Sequence, residues 1–117
     1  MTPYGSASLL AQLSPSGTAA TAAFTATTIT EITRIVVCNT TGSTATYDLY
    51  HDDTASGFAA SNALAYQKDV AGNEYETPIL ASDGNGVVVK AGGKIGVREG
   101  TGDALTFSIY GVPRPSR

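Results

Sequence analysis

One stretch constrains this chain more than any other: Ile32-Thr33-Arg34-Ile35-Val36-Val37-Cys38-Asn39-Thr40-Thr41-Gly42-Ser43-Thr44-Ala45-Thr46-Tyr47-Asp48-Leu49-Tyr50. Two runs of β-branched and aromatic residues flank the polar turn Asn39-Thr40-Thr41-Gly42-Ser43. Branching at Cβ costs rotamer freedom against the preceding turn of a helix, whereas a pleated strand accepts such residues well. The stretch therefore reads as strand, turn, strand, with Ile32 to Asn39 and Ala45 to His51 expected to pair as a hairpin. Successive strand residues alternate between faces. Ile35, Val37, Tyr47 and Leu49 are assigned to the core; Arg34, Val36, Thr46, Asp48 and Tyr50 take the other side. Asp48 is placed outside because an unpaired carboxylate is costly to bury.

The same pattern recurs along the chain. Ser6 to Leu13 is weakly apolar and is cut off by Ser14-Pro15-Ser16-Gly17. Thr18 to Thr30, with Phe24 as its one large anchor, suits an edge strand or an extended arm. Asp52 to Ala63 reads as a surface loop with one short helical turn near Ala59 to Leu64. In it, Phe58 either packs over the mouth of the fold or is held by a neighbour. Leu64 to Val70 and Glu74 to Leu80 are further strands. Asp83-Gly84-Asn85-Gly86 signals a tight turn before Val87-Val88-Val89, expected to be a short buried strand. Lys94 to Glu99 and Ala104 to Val112 complete the set. In the last strand Leu105, Phe107 and Ile109 face in, and Thr106, Ser108 and Tyr110 face out. Pro113 to Arg117 cannot continue a ladder. About eight short strands with turn signals roughly every 8–12 residues predict an all-β, single-domain antiparallel β-sandwich of jelly-roll-like form. The expected divisions are an N-terminal arm over 1–17, the sandwich over 18–112 and a C-terminal tail over 113–117.

At 117 residues the chain is one domain, long enough for a core without disulfides or metal. Charged residues are 15% of the total, well below the usual quarter, and the net charge is −3 with a pI of about 4.8. Thr, Ser, Ala and Gly occupy the surface instead, a neutral covering poorly defended against strand pairing and expected to meet partner subunits. The seven Lys and Arg residues form no basic stripe, which argues against nucleic-acid binding. Cys38 is the sole cysteine, so no intrachain disulfide is expected. Met1-Thr2-Pro3-Tyr4 lacks a basic signal-peptide start, and no apolar run is long enough to span a bilayer.

Motifs that carry chemistry are sparse. His51-Asp52-Asp53 offers three potential ligands, but neighbours on a strand point to opposite faces, so a solvated loop start is the better reading. A calcium site at Asp83, Asn85 and Glu74 lacks the spacing of a known loop. Cys38 and His51 would need adjacency in space to form a nucleophile and base, and Cys38 sits in an apolar strand where cysteine behaves as a small hydrophobe. Glu74 and Glu76 share a strand face, read as solvated. No nucleophile elbow or phosphate-binding glycine loop occurs. Neither catalysis, a cofactor nor a small-molecule substrate is expected. Tyrosines stand out: Tyr50, Tyr66, Tyr75 and Tyr110 are expected on polar faces, where such rings mark interfaces or pair across strands. The candidate interaction residues are Tyr4, Tyr50, Phe58, Tyr66, Tyr110, Arg114 and Arg117.

Two segments carry a family resemblance. Ile32 to Gly42 followed by Ala45 to Leu49, then Val87 to Val97 with Ala104 to Val112, resembles small bacteriophage virion structural proteins. Those share a strand ending in Val-Cys-Asn, a Thr/Ser/Gly turn, an aromatic-x-Leu strand, an Ala-Gly turn and a closing strand ending in Gly. The resemblance covers roughly residues 18 to 112 and implies a non-enzymatic virion component. It supplies no functional residues, because the shared motifs are structural. The expectation is a capsid decoration (cement) protein on the outer head surface. It would be made in the host cytoplasm and assembled with copies of itself, a trimer being the first candidate, on the major capsid protein. A tail, baseplate or head-fibre component is the alternative, and a carbohydrate-binding sandwich, disfavoured by the absence of tryptophan, is a third reading.

Overall fold

The computed structural model describes residues 7–82 and 84–114. Nine strands run in the order β1 (Ser8–Leu13), β2 (Thr21–Thr25), β3 (Thr30–Asn39), β4 (Ala45–Asp52), β5 (Ala63–Val70), β6 (Tyr75–Leu80), β7 (Val87–Val89), β8 (Lys94–Glu99) and β9 (Leu105–Pro113). They form two antiparallel sheets. The first has the order β1-β9-β3-β6, with β7 also on β3, and the second β2-β8-β4-β5. Strands β6 and β7 lie end to end along the same side of β3, opposite Arg34 to Cys38 and Thr30 to Ile32 respectively. They are two halves of one strand position. Eight positions in two four-stranded sheets, with the chain crossing between sheets at nearly every connection, make the molecule a jelly roll.

This arrangement corrects the expected hairpin. β3 belongs to the first sheet and β4 to the second, so they face each other across the core and share no ladder. The reason lies in Asn39. Its Nδ2 donates to the carbonyls of Ser43 at 2.7 Å and Val70 at 3.0 Å, and its Oδ1 accepts from the Thr41 N–H at 2.9 Å. The buried amide thus holds a corner that turns the chain from one sheet to the other. The face assignments survive, because an arch and a hairpin both send the same alternate residues inward.

Ile35, Val37, Tyr47, Leu49, Leu105, Phe107 and Ile109 all lie in the core with Ile32, Val89, Ile95 and Val97. The Tyr47 and Phe107 rings meet edge to face at 6.1 Å. Each fully buried side chain of this size contributes roughly 1.5–3 kcal/mol.

Two further expectations change. Ser8–Leu13, placed in the N-terminal arm, is the edge strand β1, paired with β9 from Ser8 opposite Gly111 to Leu13 opposite Phe107. Val87-Val88-Val89 is not buried throughout, since Val89 is in the core while Val88 is 53% exposed, as alternation on an edge strand requires. The tight turn expected at Gly84 to Gly86 forms, the Asn85 N–H reaching the Ser82 carbonyl at 2.9 Å, but it links two strands that both pair with β3 rather than with each other. The edge strand expected within Thr18 to Thr30 is β2, and the helical turn is a 3₁₀ turn at Ala60–Asn62.

Candidate interaction surfaces

The two outer faces of the sandwich differ. The loop that joins β4 to β5 covers the second sheet's outer face around Tyr50 and Gly96, while Leu64 and Tyr66 on β5 remain exposed. Asp52 organises that loop: its carboxylate accepts the N–H groups of Thr54 at 3.0 Å, Ser56 at 3.2 Å and Gly57 at 2.9 Å. The Thr54 N–H is the main cause, aided by Gly57 and Ser56, of a carboxyl pKa lowered to about 2 against burial. The loop delivers Phe58 onto the sheet, where its ring stacks on Tyr50 at 5.6 Å and 25°. Only glycine fits at position 96 beneath it, because a Cβ there would come within 2.6 Å of the Phe58 ring.

Under this cover lies a polar cluster. Asp48 is buried, contrary to its assignment to solvent, and the cost is met by partners. The Tyr50 hydroxyl donates to it at 2.9 Å, the Gln67 N–H at 2.7 Å, and Arg98 stands 3.4 Å away. Gln67 adopts φ 51° at a bulge that aims its N–H at the carboxylate. Burial and then the bond to Asp48 push the Tyr50 phenol up to about 12, so it is a neutral donor. Tyr50 was expected exposed; it is 4% exposed, because Phe58 lies over it and Asp48 holds its hydroxyl.

Among the described residues no segment covers the first sheet's outer face in this way. Register puts Leu9 opposite Tyr110, Tyr110 opposite Arg34 and Arg34 opposite Leu80, so the four residues form one row across β1, β9, β3 and β6. Directly opposed residues share a face. The Arg34 guanidinium lies 5.9 Å from the centre of the Tyr110 ring. Leu9 is 50% and Leu80 69% exposed. A parallel row runs Thr106, Cys38, Tyr75, the last 65% exposed.

The remaining candidates are dispersed. Tyr66 is half exposed on β5. Arg114 is engaged within the chain: its Nε donates to Glu31 at 2.6 Å, and the same buried carboxylate accepts the Gly86 N–H at 2.7 Å. Tyr4 and Arg117 lie outside the described residues. Cys38 and His51 are not brought together, since they belong to different sheets; the His51 Nε2 is 2.9 Å from Asp53 Oδ1. Sequence reasoning missed Arg34 and Leu80. Their pattern is visible only once β1, β9, β3 and β6 are known to be neighbours.

Among the described residues no group of three His, Cys, Asp or Glu side chains is placed to hold a metal ion, and no helix is long and apolar enough to cross a membrane. No family model, curated protein or solved structure matches the chain.

Proposed function

We propose that this protein is a structural component of a bacteriophage particle, a decoration (cement) protein that docks on the assembled capsid through the outer face of its first sheet. The observation that carries the reading is the row of Leu9, Tyr110, Arg34 and Leu80, with Tyr75 beside it, on the first sheet's outer face, where no described segment covers it as the Phe58 loop covers Tyr50 on the second. Contiguous exposed apolar groups rimmed by polar ones mark association surfaces. Arg34, held against Tyr110, adds one fixed charge at the centre. The low overall charge and the segments resembling virion proteins support the same reading. The mechanism is mass action. A protein that binds the assembled shell and not its dissociated subunits stabilises the shell by its binding free energy.

The test uses purified protein and undecorated shells. Cosedimentation and a higher shell melting temperature are expected for the wild type. The double variant Leu80→Asp, Tyr75→Ser should lose both effects while keeping its own melting temperature. Failure of the wild-type protein to bind shells or to raise their melting temperature refutes the proposal. Localisation of labelled copies at six-fold or twelve-fold tail positions would replace the head reading with a tail or baseplate role.

A further inference from the structure

The chain has four asparagines, at positions 39, 62, 73 and 85, and only Asn85 is followed by glycine. That pair carries a reaction of its own. With no Cβ on the following residue, its backbone nitrogen can approach the asparagine side-chain amide closely. The Gly86 nitrogen attacks Cγ of Asn85, the N–Cγ bond forms and the Cγ–Nδ2 bond breaks. Ammonia leaves with the proton from the Gly86 nitrogen. Water then opens the cyclic imide to aspartate or isoaspartate.

The fold both requires this glycine and restrains the two reacting groups. A Cβ at Gly86 would collide with the Ile32 carbonyl, so no larger residue fits there. Asn85 itself is exposed, and its Nδ2 donates to Ser82 Oγ at 3.0 Å. The Gly86 N–H is given instead to the buried Glu31 Oε2 at 2.7 Å. Against burial, bonds from Gly86, Arg114 and Gly84 hold the Glu31 carboxyl below the ordinary 4.5. At neutral pH it therefore accepts this proton without removing it. Nucleophile and target are each tied to a different partner. The reaction also acts back on the fold. An imide nitrogen carries no hydrogen, so Glu31 loses the Gly86 donor, and Glu31 is the carboxylate that binds the Arg114 Nε at 2.6 Å just past β9. Isoaspartate further adds a methylene to the main chain where Gly86 packs against Ile32.

We propose that Asn85 is a latent deamidation site, restrained by Ser82 and Glu31, and that its conversion undoes the fastening of the β6–β7 turn to β3. The site needs no partner and no capsid shell, so it stands or falls separately from the docking surface.

Incubation of the purified protein in mildly alkaline buffer, followed by tryptic mapping of the peptide over residues 69–90, measures the reaction. Deamidation changes the peptide mass, whereas isomerisation at Asp83-Gly84 does not, and fragmentation separates Asn85 from Asn73. Asn85 should convert at least about tenfold faster in the urea-unfolded chain than in the native one, because two hydrogen bonds must open first. Ser82→Ala should speed native conversion by roughly threefold to tenfold at an unchanged melting temperature. Glu31→Ala should speed it by about tenfold or more, since a bond to a charged group is the stronger restraint. Should that variant not fold, Ser82→Ala and the native-to-unfolded ratio decide. The converted protein, isolated by its added negative charge, should melt below its parent. The proposal is overturned by native conversion at Asn73 in preference to Asn85, by equal native and unfolded rates, or by a wild-type rate in Ser82→Ala. A folded Glu31→Ala that converts more slowly than the wild type, or a converted protein that melts like its parent, also overturns it.

Discussion

The buried acidic side chains in this protein work as loop fasteners. Glu31 binds the Gly86 N–H, Asp48 the Gln67 N–H, Asp52 the amides of Thr54, Ser56 and Gly57, and Glu99 those of Ala104 and Leu105. Each lies at the end of a strand or beside a bulge and closes an irregular segment onto the sandwich. A sequence shows such residues only as polar interruptions, because their partners are backbone amides that any residue supplies. Tyr47 is the opposite case. Its assignment to the core follows from alternation alone, yet its buried hydroxyl has no partner among the described residues, and burial, with Glu76 nearby, raises its pKa to about 12. An unsatisfied buried hydroxyl is a cost. Tyr47→Phe should therefore leave the melting temperature unchanged or raise stability by up to about 1 kcal/mol. A measurable loss of stability would mean the phenol is bonded in solution.

At the scale of elements, strand propensity and alternation located most of the ladder, including β8, and β3, β4 and β9 with inward residues. What they left undetermined was pairing. A polar turn between two alternating strands looks alike whether the strands lie side by side or across a core, and Asn39 decides the matter through a bond to Val70, thirty-one positions away. The β4–β5 loop shows the same limit. Its position between strands was legible, but its seat on the outer face of the second sheet depends on Gly96 and Tyr50 being neighbours there. Replacing Phe58 with Ala should cost roughly 1–2 kcal/mol, less than a fully buried ring, because Phe58 is half-buried. It should also bring one late-titrating phenol down from about 12 toward the ordinary 10, since burial is the chief cause of the Tyr50 shift. Ultraviolet titration of the tyrosines reads this; an unchanged titration would show that the ring is not what covers Tyr50.

For the whole molecule, the fastened carboxylates set its response to acid. Burial opposes ionisation of Glu31, but bonds from Gly86, Arg114 and Gly84 outweigh it and hold the pKa below the ordinary 4.5. Asp52 falls from 3.8 to about 2. In both cases the unfolded chain takes up its proton first. Their stabilisation is complete above the unfolded values and is lost as pH drops through the folded ones. The melting temperature should be flat above about pH 5 and fall steeply between about pH 4 and pH 2, less steeply in Asp52→Asn. A flat profile down to pH 2 would contradict these assignments. The chain sequence by itself determined the all-β class, the approximate number of strands and the inward residues of the longest ones, because alternation and β-branching act over a few neighbouring residues. Only the tertiary structure decided which strands pair and which face stays open. Those properties arise between segments as distant as Ser8 and Gly111, where nothing local records which partner is met.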